Sequence, residues 1–168
     1  FIFVSAISGQ LADLRNKAKI IRTVKLCEIG LMSLGAMGLF LAWQGVLVHT
    51  VAIPLMLFAL FLAGLQSTFL GPIKYSIIPQ HLTDKELVSG NALVEMGTFL
   101  AILLGSISGV LLKMDGVGDG VVAMTVVGLA VLGYLAARGI PAAPAADASI
   151  KINWNLWKET WHIVGYAR

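Results

Sequence analysis

Four long, nearly uninterrupted apolar stretches constrain the fold of this chain more than any other feature. They run over residues 26–48, 51–70, 87–112 and 121–137, and a shorter apolar stretch opens the chain at residues 1–11. A helix needs about 20 apolar residues to cross the hydrocarbon core of a bilayer. Because the stretches are continuous, they indicate helices and not the alternating strands of a membrane barrel. The sequence therefore predicts an all-α membrane protein, a polytopic transmembrane helix bundle with one partial and four full helices.

The composition supports a membrane protein. Of the 168 residues, 58% are hydrophobic and 12% are charged, whereas a soluble domain has about 25% charged residues. The net charge of +3 does not indicate a nucleic-acid partner, because the basic residues cluster between the apolar stretches. Cys27 is the only cysteine, which excludes a disulfide within the chain and a Cys-based zinc site. We expect no metal and no cofactor.

The ends of the chain suggest a piece of a longer protein. The chain begins without Met, inside the apolar run FIFVSAIS, and ends at GYAR without a terminal signal. An opening run of about eleven apolar residues is too short to cross the membrane. We therefore expect a fragment truncated at both ends.

The basic residues predict the orientation. If the helices alternate in direction, eleven of the twelve Lys and Arg residues fall on one side, and only Lys113 falls on the other, near Asp115 and Asp119. Five of the eleven lie in the segment Gly9–Lys25, which we expect to be a loop. An excess of basic residues marks cytoplasmic loops, so this segment is expected to be cytoplasmic. The other six are Lys74, Lys85, Arg138, Lys151, Lys158 and Arg168.

Breaks in the pattern predict the ends of elements and domains. Gly71 and Pro72 should stop the third helix. In PQHLTDKE, Thr83 and Glu86 form a capping-box pattern, and Leu82 and Leu87 are spaced as a hydrophobic staple. This is local structure without chemistry.

We divide the chain into a transmembrane bundle over residues 1–138 and a cytoplasmic linker with an amphipathic interfacial segment over residues 139–168. RGIPAAPAADAS is rich in Pro and Ala and should be extended. In the tail, Trp154, Trp157 and Trp161 recur on one face of a helix. This face lies on the membrane surface or packs against the protein's own cytoplasmic surface.

The segment GQLADLRNKAKIIR, residues 9–22, resembles the loop signature between the second and third helices of the major facilitator superfamily. Gly9, Asp13 and Lys17 match the signature, whereas Leu14, Asn16 and Ala18 depart from it. A glycine at this place permits the close approach of another helix. An aspartate at the membrane edge suits the positive N-terminus of a helix or a nearby cation.

The resemblance implies that Asp13 latches the two halves of a transporter on the cytoplasmic side. We expect Lys74, at the end of the third apolar stretch, to be its cationic partner, so Gly9, Asp13, Lys17 and Lys74 form the predicted gating motif. The alternative is that these residues only set the topology of the chain.

A wider resemblance covers nearly the whole chain. It rests on residues 9–30, 71–82 and 89–109 and on the later stretches IPAAPAAD, KINWN and ETW. Together these stretches look like the lysophospholipid transporter branch of the superfamily. That branch also occurs fused ahead of an acyltransferase and an acyl-carrier-protein synthetase. The resemblance implies part of the N-terminal half of a major facilitator fold, from the end of helix 2 to helix 6 plus the start of the central cytoplasmic loop. It implies a bacterial inner-membrane protein that moves lysophospholipid by alternating access, with membrane lipid, the lysophospholipid and the missing C-terminal half as partners.

Carboxylates inside a bilayer are costly and usually have a role. Glu28 lies near the basic segment, and pairing with Lys25 or Arg22 is the reading we favour. Glu95 lies deeper in its apolar stretch. It contacts a cationic headgroup, couples transport to an ion, or pairs with Lys74 or with a basic residue outside this chain.

Other positions carry weaker signals. Gln66 faces a transport path or bonds to a neighbouring helix. Gly105 and Gly109 have the spacing of close helix packing. The third apolar stretch lacks the arginine expected of proton-coupled drug exporters.

Catalytic motifs are missing from the sequence. The histidines His49, His81 and His162 lack the following Asp of an acyltransferase His-x4-Asp pair, and there is no G-x-S-x-G elbow. We therefore expect a transporter and no catalytic residue. The alternatives are the transporter portion of the enzyme fusion, a major facilitator transporter of another small molecule, and a membrane scaffold without cargo.

Overall fold

A computed structural model of the chain describes residues 2–114 and 118–145, which form five α-helices. A π-helical turn at Val48–Ala52 leads into the third helix, and a 3-10 turn at Ile78–Gln80 follows it. No β-strand occurs in the described residues, which confirms the all-α prediction. The helices are α1 (Ile2–Leu14), α2 (Lys17–Trp43), α3 (Ile53–Ser76), α4 (Leu87–Met114) and α5 (Asp119–Arg138).

Within the described residues, four helical segments are long and apolar enough to cross a membrane. This confirms a polytopic bundle with the number of full spans that the apolar stretches predict. The segments are Lys17–Trp43, Val48–Gln80, Leu87–Leu112 and Asp119–Arg138.

The basic segment is mostly helical, so its prediction as a loop is wrong. α1 continues to Leu14 and α2 begins at Lys17, which leaves only Arg15 and Asn16 between the helices. The Asn16 side chain accepts a hydrogen bond from the Lys19 backbone N–H at 3.1 Å and caps α2. Lys and Arg are good helix formers, so once α2 has a cap its basic residues extend the helix.

The third helix ends later than Gly71 and Pro72, and the predicted stop is therefore also wrong. α3 continues to Ser76 with Pro72 inside it. Ile73, the next residue, is fully buried. Proline is tolerated in a membrane helix where neighbouring groups support the backbone, and the burial of Ile73 supplies packing at this point.

α2 is the centre of the bundle. It packs against α3 on one side and α5 on the other, and α1 packs against α3. α1, α3 and α5 end on the side of the bundle where α2 and α4 begin. We call this side the basic end, because it carries Arg15, Lys19, Lys74, Lys85 and Arg138. The buried cluster also lies at the basic end. The buried cluster consists of Ala12, Ile20, Ile21, Ile73 and Ala137.

α4 stands largely apart from the other helices. Its main contact is with the 3-10 turn, where Leu82 lies so close over Gly90 that a Cβ there would collide with it. Farther along, Phe99 and Leu104 are 66% and 62% exposed. α4 therefore presents an apolar surface that the described residues leave uncovered.

The turn before α4 forms half of the predicted capping box. The Glu86 carboxylate accepts hydrogen bonds from the Thr83 N–H at 3.1 Å and from the Thr83 hydroxyl at 2.7 Å. The hydroxyl therefore donates to Glu86 instead of accepting from a helix N–H. Leu82 packs over Gly90, and the predicted staple between Leu82 and Leu87 stays a prediction.

The segment that follows α5 is irregular but attached to the bundle. Ala143 is fully buried, and its carbonyl oxygen accepts a hydrogen bond from the Lys17 backbone N–H at 2.9 Å. The Gln80 side chain donates to the Pro144 carbonyl oxygen at 3.1 Å. The tryptophan face predicted for the tail lies outside the described residues, and the division of the chain at residue 138 stays a prediction.

Candidate functional site

A polar network joins α2 and α3 inside the bundle. Lys25 Nζ lies 2.7 Å from Glu28 Oε2, which confirms the ion pair favoured from the sequence. The Gln66 amide of α3 donates to Glu28 Oε2 at 3.2 Å and to the Val24 carbonyl oxygen at 3.1 Å. The structure therefore brings Glu28 and Gln66 together and adds Lys25 to them.

A cavity of about 250 Å³ opens beside this network, lined by Lys25, Glu28, Gln66 and Ser67 with apolar neighbours. Lys25 is eight residues from the start of α2 and Glu28 eleven, so the pair lies about 12–16 Å along the helix from the basic end. The Gln66 carbonyl oxygen Oε1 is buried and has no hydrogen-bond partner among residues 2–114 and 118–145.

The charges of the network compensate each other. Lys25 neutralises Glu28, and its side chain lies against Gly133 of α5, where a Cβ would come within 3.8 Å of Nζ. An unpaired charge among packed helices would be costly, so the pair is suited to holding α2, α3 and α5 together. The one unsatisfied atom, Gln66 Oε1, can accept a hydrogen bond from a hydroxyl, an ammonium group or water.

Lys74 does not pair with Asp13 in this structure. Its Nζ donates to the Thr98 hydroxyl of α4 at 3.2 Å and lies 4.8 Å from the centre of the Tyr75 ring. The prediction of an Asp13–Lys74 ion pair is corrected because the lysine side chain extends to α4 and not to α1. Lys74 instead joins the basic ends of α3 and α4.

Glu95 is half-buried on α4, one turn before Thr98. The structure shows no ion pair between Glu95 and Lys74, whose ammonium goes to Thr98. That alternative for Glu95 is therefore not realised among the described residues, whereas its roles in headgroup contact or ion coupling stay predictions.

The other residues of the predicted gating motif lie on two helices. Gly9 and Asp13 are on α1, and Lys17 opens α2 with its side chain only 2% exposed. A Cβ on Gly9 would meet nothing within 4 Å, so a closely packed helix at this glycine would have to come from outside the described residues. Ser8, the residue before it, is fully buried and donates to the Phe69 carbonyl oxygen.

The close helix packing predicted for Gly105 and Gly109 also finds no partner among the described residues. Nothing lies within 4 Å of a Cβ at either position, because this part of α4 has no neighbour among the described helices. Their role in close packing stays a prediction.

Sequence reasoning missed the structural role of Arg22. Its guanidinium donates to the carbonyl oxygen of Ala137 in the last turn of α5 and to that of Ile140, two residues beyond the helix. The sequence gives only a basic residue near a helix start, and the distance of more than a hundred residues to its partners hides the contact.

Curated proteins match this chain, one of them over nearly its whole length. The lysophospholipid transporter LplT of Escherichia fergusonii is 31% identical to it over 161 residues, which are 95% of this chain. The chain is a relative of the LplT lysophospholipid transporters. Proteins of the same name from Salmonella newport and Salmonella heidelberg are each 30% identical over 109 residues, 65% of this chain. These matches confirm the resemblance to that branch.

The chain matches only part of the length of each LplT relative. The chain spans 36% of the length of the Escherichia LplT and 24% of each Salmonella LplT. No protein-family model and no solved structure matches the chain. The polar network and the basic end thus lie in a chain that matches about a third of the length of the Escherichia LplT.

Proposed function

We propose that the complete protein moves lysophospholipid across the bacterial inner membrane, with the basic end of the bundle on the cytoplasmic side. The observation that carries the proposal is the 31% identity to the Escherichia fergusonii lysophospholipid transporter over 95% of this chain. The four segments able to cross a membrane fit a transport function. The excess of basic residues at one end supports the orientation.

The proposed mechanism is alternating access, in which two halves of a transporter rock about a central site. Gly9, Asp13, Lys17 and Lys74 are the gating residues in this proposal. Asp13 makes no ion pair within the described chain, so it is available to a cation or a helix N-terminus of the other half. Lys74 ties α3 to α4 and makes these helix ends move together.

Glu95 is the residue we assign to the lysophospholipid headgroup. Glu28 is already neutralised by Lys25 and bonded to Gln66, which suits a structural role at the edge of the path. The Glu95 carboxylate has no ion-pair partner among the described residues and lies on the helix that the bundle leaves uncovered. An anion in a membrane attracts a cationic group, and the ammonium of an ethanolamine headgroup is such a group.

We propose no catalytic role for this part of the chain. If the complete protein is the fusion with an acyltransferase and an acyl-carrier-protein synthetase, reacylation belongs to those domains. Sequencing the gene beyond Arg168 decides between the two: further apolar spans followed by a stop codon support a stand-alone transporter, and soluble domains after them support the fusion.

The test is uptake of radiolabelled lysophosphatidylethanolamine by spheroplasts that contain the complete protein, with membrane levels measured by immunoblot. Glu95→Gln should lower uptake by about tenfold or more, since a hydrogen bond to a charged group contributes about 1.5–3 kcal/mol. Glu86→Gln, which removes an exposed carboxylate just before the same helix, is the matched control. No uptake by the wild type contradicts the proposed function, and full uptake by Glu95→Gln contradicts only the role of this residue.

A further inference from the structure

A groove runs between α1 and α2 at the basic end of the bundle. It has a volume of about 550 Å³, its walls include Leu11, Ile20 and Val24, and Phe69 of α3 forms its floor. A second groove of about 620 Å³ shares Val24 and Phe69 with the first and continues along α2 to Leu31. The two grooves therefore adjoin along α2, and together we call them the α1–α2 groove.

Two cations stand at the basic end of this groove. Arg15 and Lys19 both line it and both are exposed. Neither side chain forms an ion pair with another of the residues that the structure describes. Asn16, between them, caps the start of α2, where the helix dipole adds partial positive charge. The groove thus has a cationic opening and an apolar body.

The length of the groove matches one leaflet of a membrane. From Lys19 to Leu31 the helix rises by about 18 Å, and half of the hydrocarbon core is about 15 Å thick. A water-soluble anion would leave the apolar walls uncovered, and an uncharged hydrocarbon would leave the cations unpaired. A zwitterionic lipid brings its own ammonium, which Arg15 and Lys19 repel.

We propose that the α1–α2 groove holds an anionic glycerophospholipid of the leaflet at the basic end. Its phosphate lies against Arg15 and Lys19, and an acyl chain lies along Val24 and Phe69. This lipid is a resident of the bilayer and not the transported cargo. The inference needs the helices to cross a membrane and the groove to face lipid in the complete protein, so it does not rest on the proposed transport function.

The experiment measures the lipids that stay bound to the complete protein. The protein is reconstituted in nanodiscs of equal phosphatidylglycerol and phosphatidylethanolamine, released into the gas phase, and its bound lipids are counted by native mass spectrometry. The wild type should retain phosphatidylglycerol in preference to phosphatidylethanolamine. Arg15→Gln with Lys19→Gln should lower the retained phosphatidylglycerol by about 25-fold, since each basic residue near an anionic membrane surface strengthens binding by about fivefold.

Two further variants separate the groove from general surface charge. Lys85→Gln with Arg138→Gln removes the same charge from exposed positions at the same end and should leave retention unchanged. Thr23→Trp fills the groove from an exposed position that lines it, leaves the charge unchanged, and should also lower retention.

Equal retention of both lipids by the wild type overturns the proposal. So does an equal loss in the Lys85 and Arg138 control, which indicates diffuse attraction, or full retention in Thr23→Trp. A photoreactive cross-linker at position 15 that captures an acidic segment of the protein in place of lipid overturns it as well. Lipid retention is measured without any transport assay, so a protein that retains phosphatidylglycerol but fails in lysophospholipid uptake contradicts the proposed function alone.

Discussion

Arg22 on α2 forms a hydrogen bond with Ile140, which lies two residues beyond the end of α5. Its Nη2 donates to the Ile140 carbonyl oxygen at 2.6 Å, and its Nε donates to the Ala137 carbonyl oxygen at 3.3 Å. The last carbonyl groups of a helix have no partners within the helix, and the partial negative charge there attracts a cation. One of the basic residues that predict the topology therefore also joins two helices.

Replacement of Arg22 should loosen the contact between α2 and α5. We expect Arg22→Gln to lower the free energy of unfolding by about 1–3 kcal/mol, since it removes charged hydrogen bonds to two carbonyl groups. Arg22→Lys should lose less, because a lysine can still reach one carbonyl but not both. Thermal unfolding of the detergent-solubilised protein measures the effect. Lys19→Gln, an exposed cation on the same helix, is the control, and an equal loss there would contradict the capping role.

The fold could be predicted because the membrane limits the choice of structure. Continuous apolar stretches of sufficient length can only be helices in lipid, so the number and type of spans followed from the sequence. The boundaries did not, because they depend on local contacts. Pro72 remains within α3 beside the buried Ile73, and the Asn16 cap starts α2 inside the basic segment.

The pair of Lys25 and Glu28 should show strong energetic coupling. Glu28→Gln and Lys25→Met each leave one charge without its partner in the bundle, and each should lower the free energy of unfolding by about 2 kcal/mol. The double variant should lose clearly less than the sum of the two, with a coupling energy of about 1–2 kcal/mol. The free energy of unfolding of the wild type, the two single variants and the double variant is measured in mixed micelles with increasing SDS. Strictly additive losses would show that the two side chains do not depend on each other.

The site was predictable only where partners lie close in the sequence. Lys25 and Glu28 are three residues apart on one helix, and their pair was expected. Gln66 joins them from α3, and Lys74 turns to Thr98 of α4. Both contacts depend on how helices pack, which a single sequence does not reveal.

The contact between Lys74 and Thr98 can be tested by cross-linking. In a background with Cys27→Ser, the pair Lys74→Cys and Thr98→Cys should be joined readily by a short bifunctional thiol cross-linker, which replaces the reach of the lysine side chain, because a hydrogen bond of 3.2 Å joins the native side chains. The matched pair Asp13→Cys and Lys74→Cys should cross-link far less. A shift in electrophoretic mobility after internal protease cleavage reports the result. Preferential linkage of positions 13 and 74 would favour the latch pair expected from the sequence over the contact seen here.

Glu86, just before α4, should titrate at an unusually low pH. The Thr83 hydroxyl donates a hydrogen bond to the Glu86 carboxylate, and the Thr83 backbone N–H donates a second one. Together these bonds hold the pKa of Glu86 below its ordinary value of 4.5, whereas desolvation acts in the opposite direction. Because the folded pKa is the lower one, this turn is fully stabilised above about pH 4.5 and loses that contribution as the pH falls through the folded pKa. Thr83→Ala removes the hydroxyl bond, which is the larger cause, and should raise the pKa of Glu86 towards 4.5 while the backbone bond keeps it below. Carboxyl carbon NMR of the protein in micelles follows the titration. Ser89→Ala, a nearby exposed hydroxyl, should leave the pKa of Glu86 unchanged, and an unchanged value in Thr83→Ala would contradict the assigned cause.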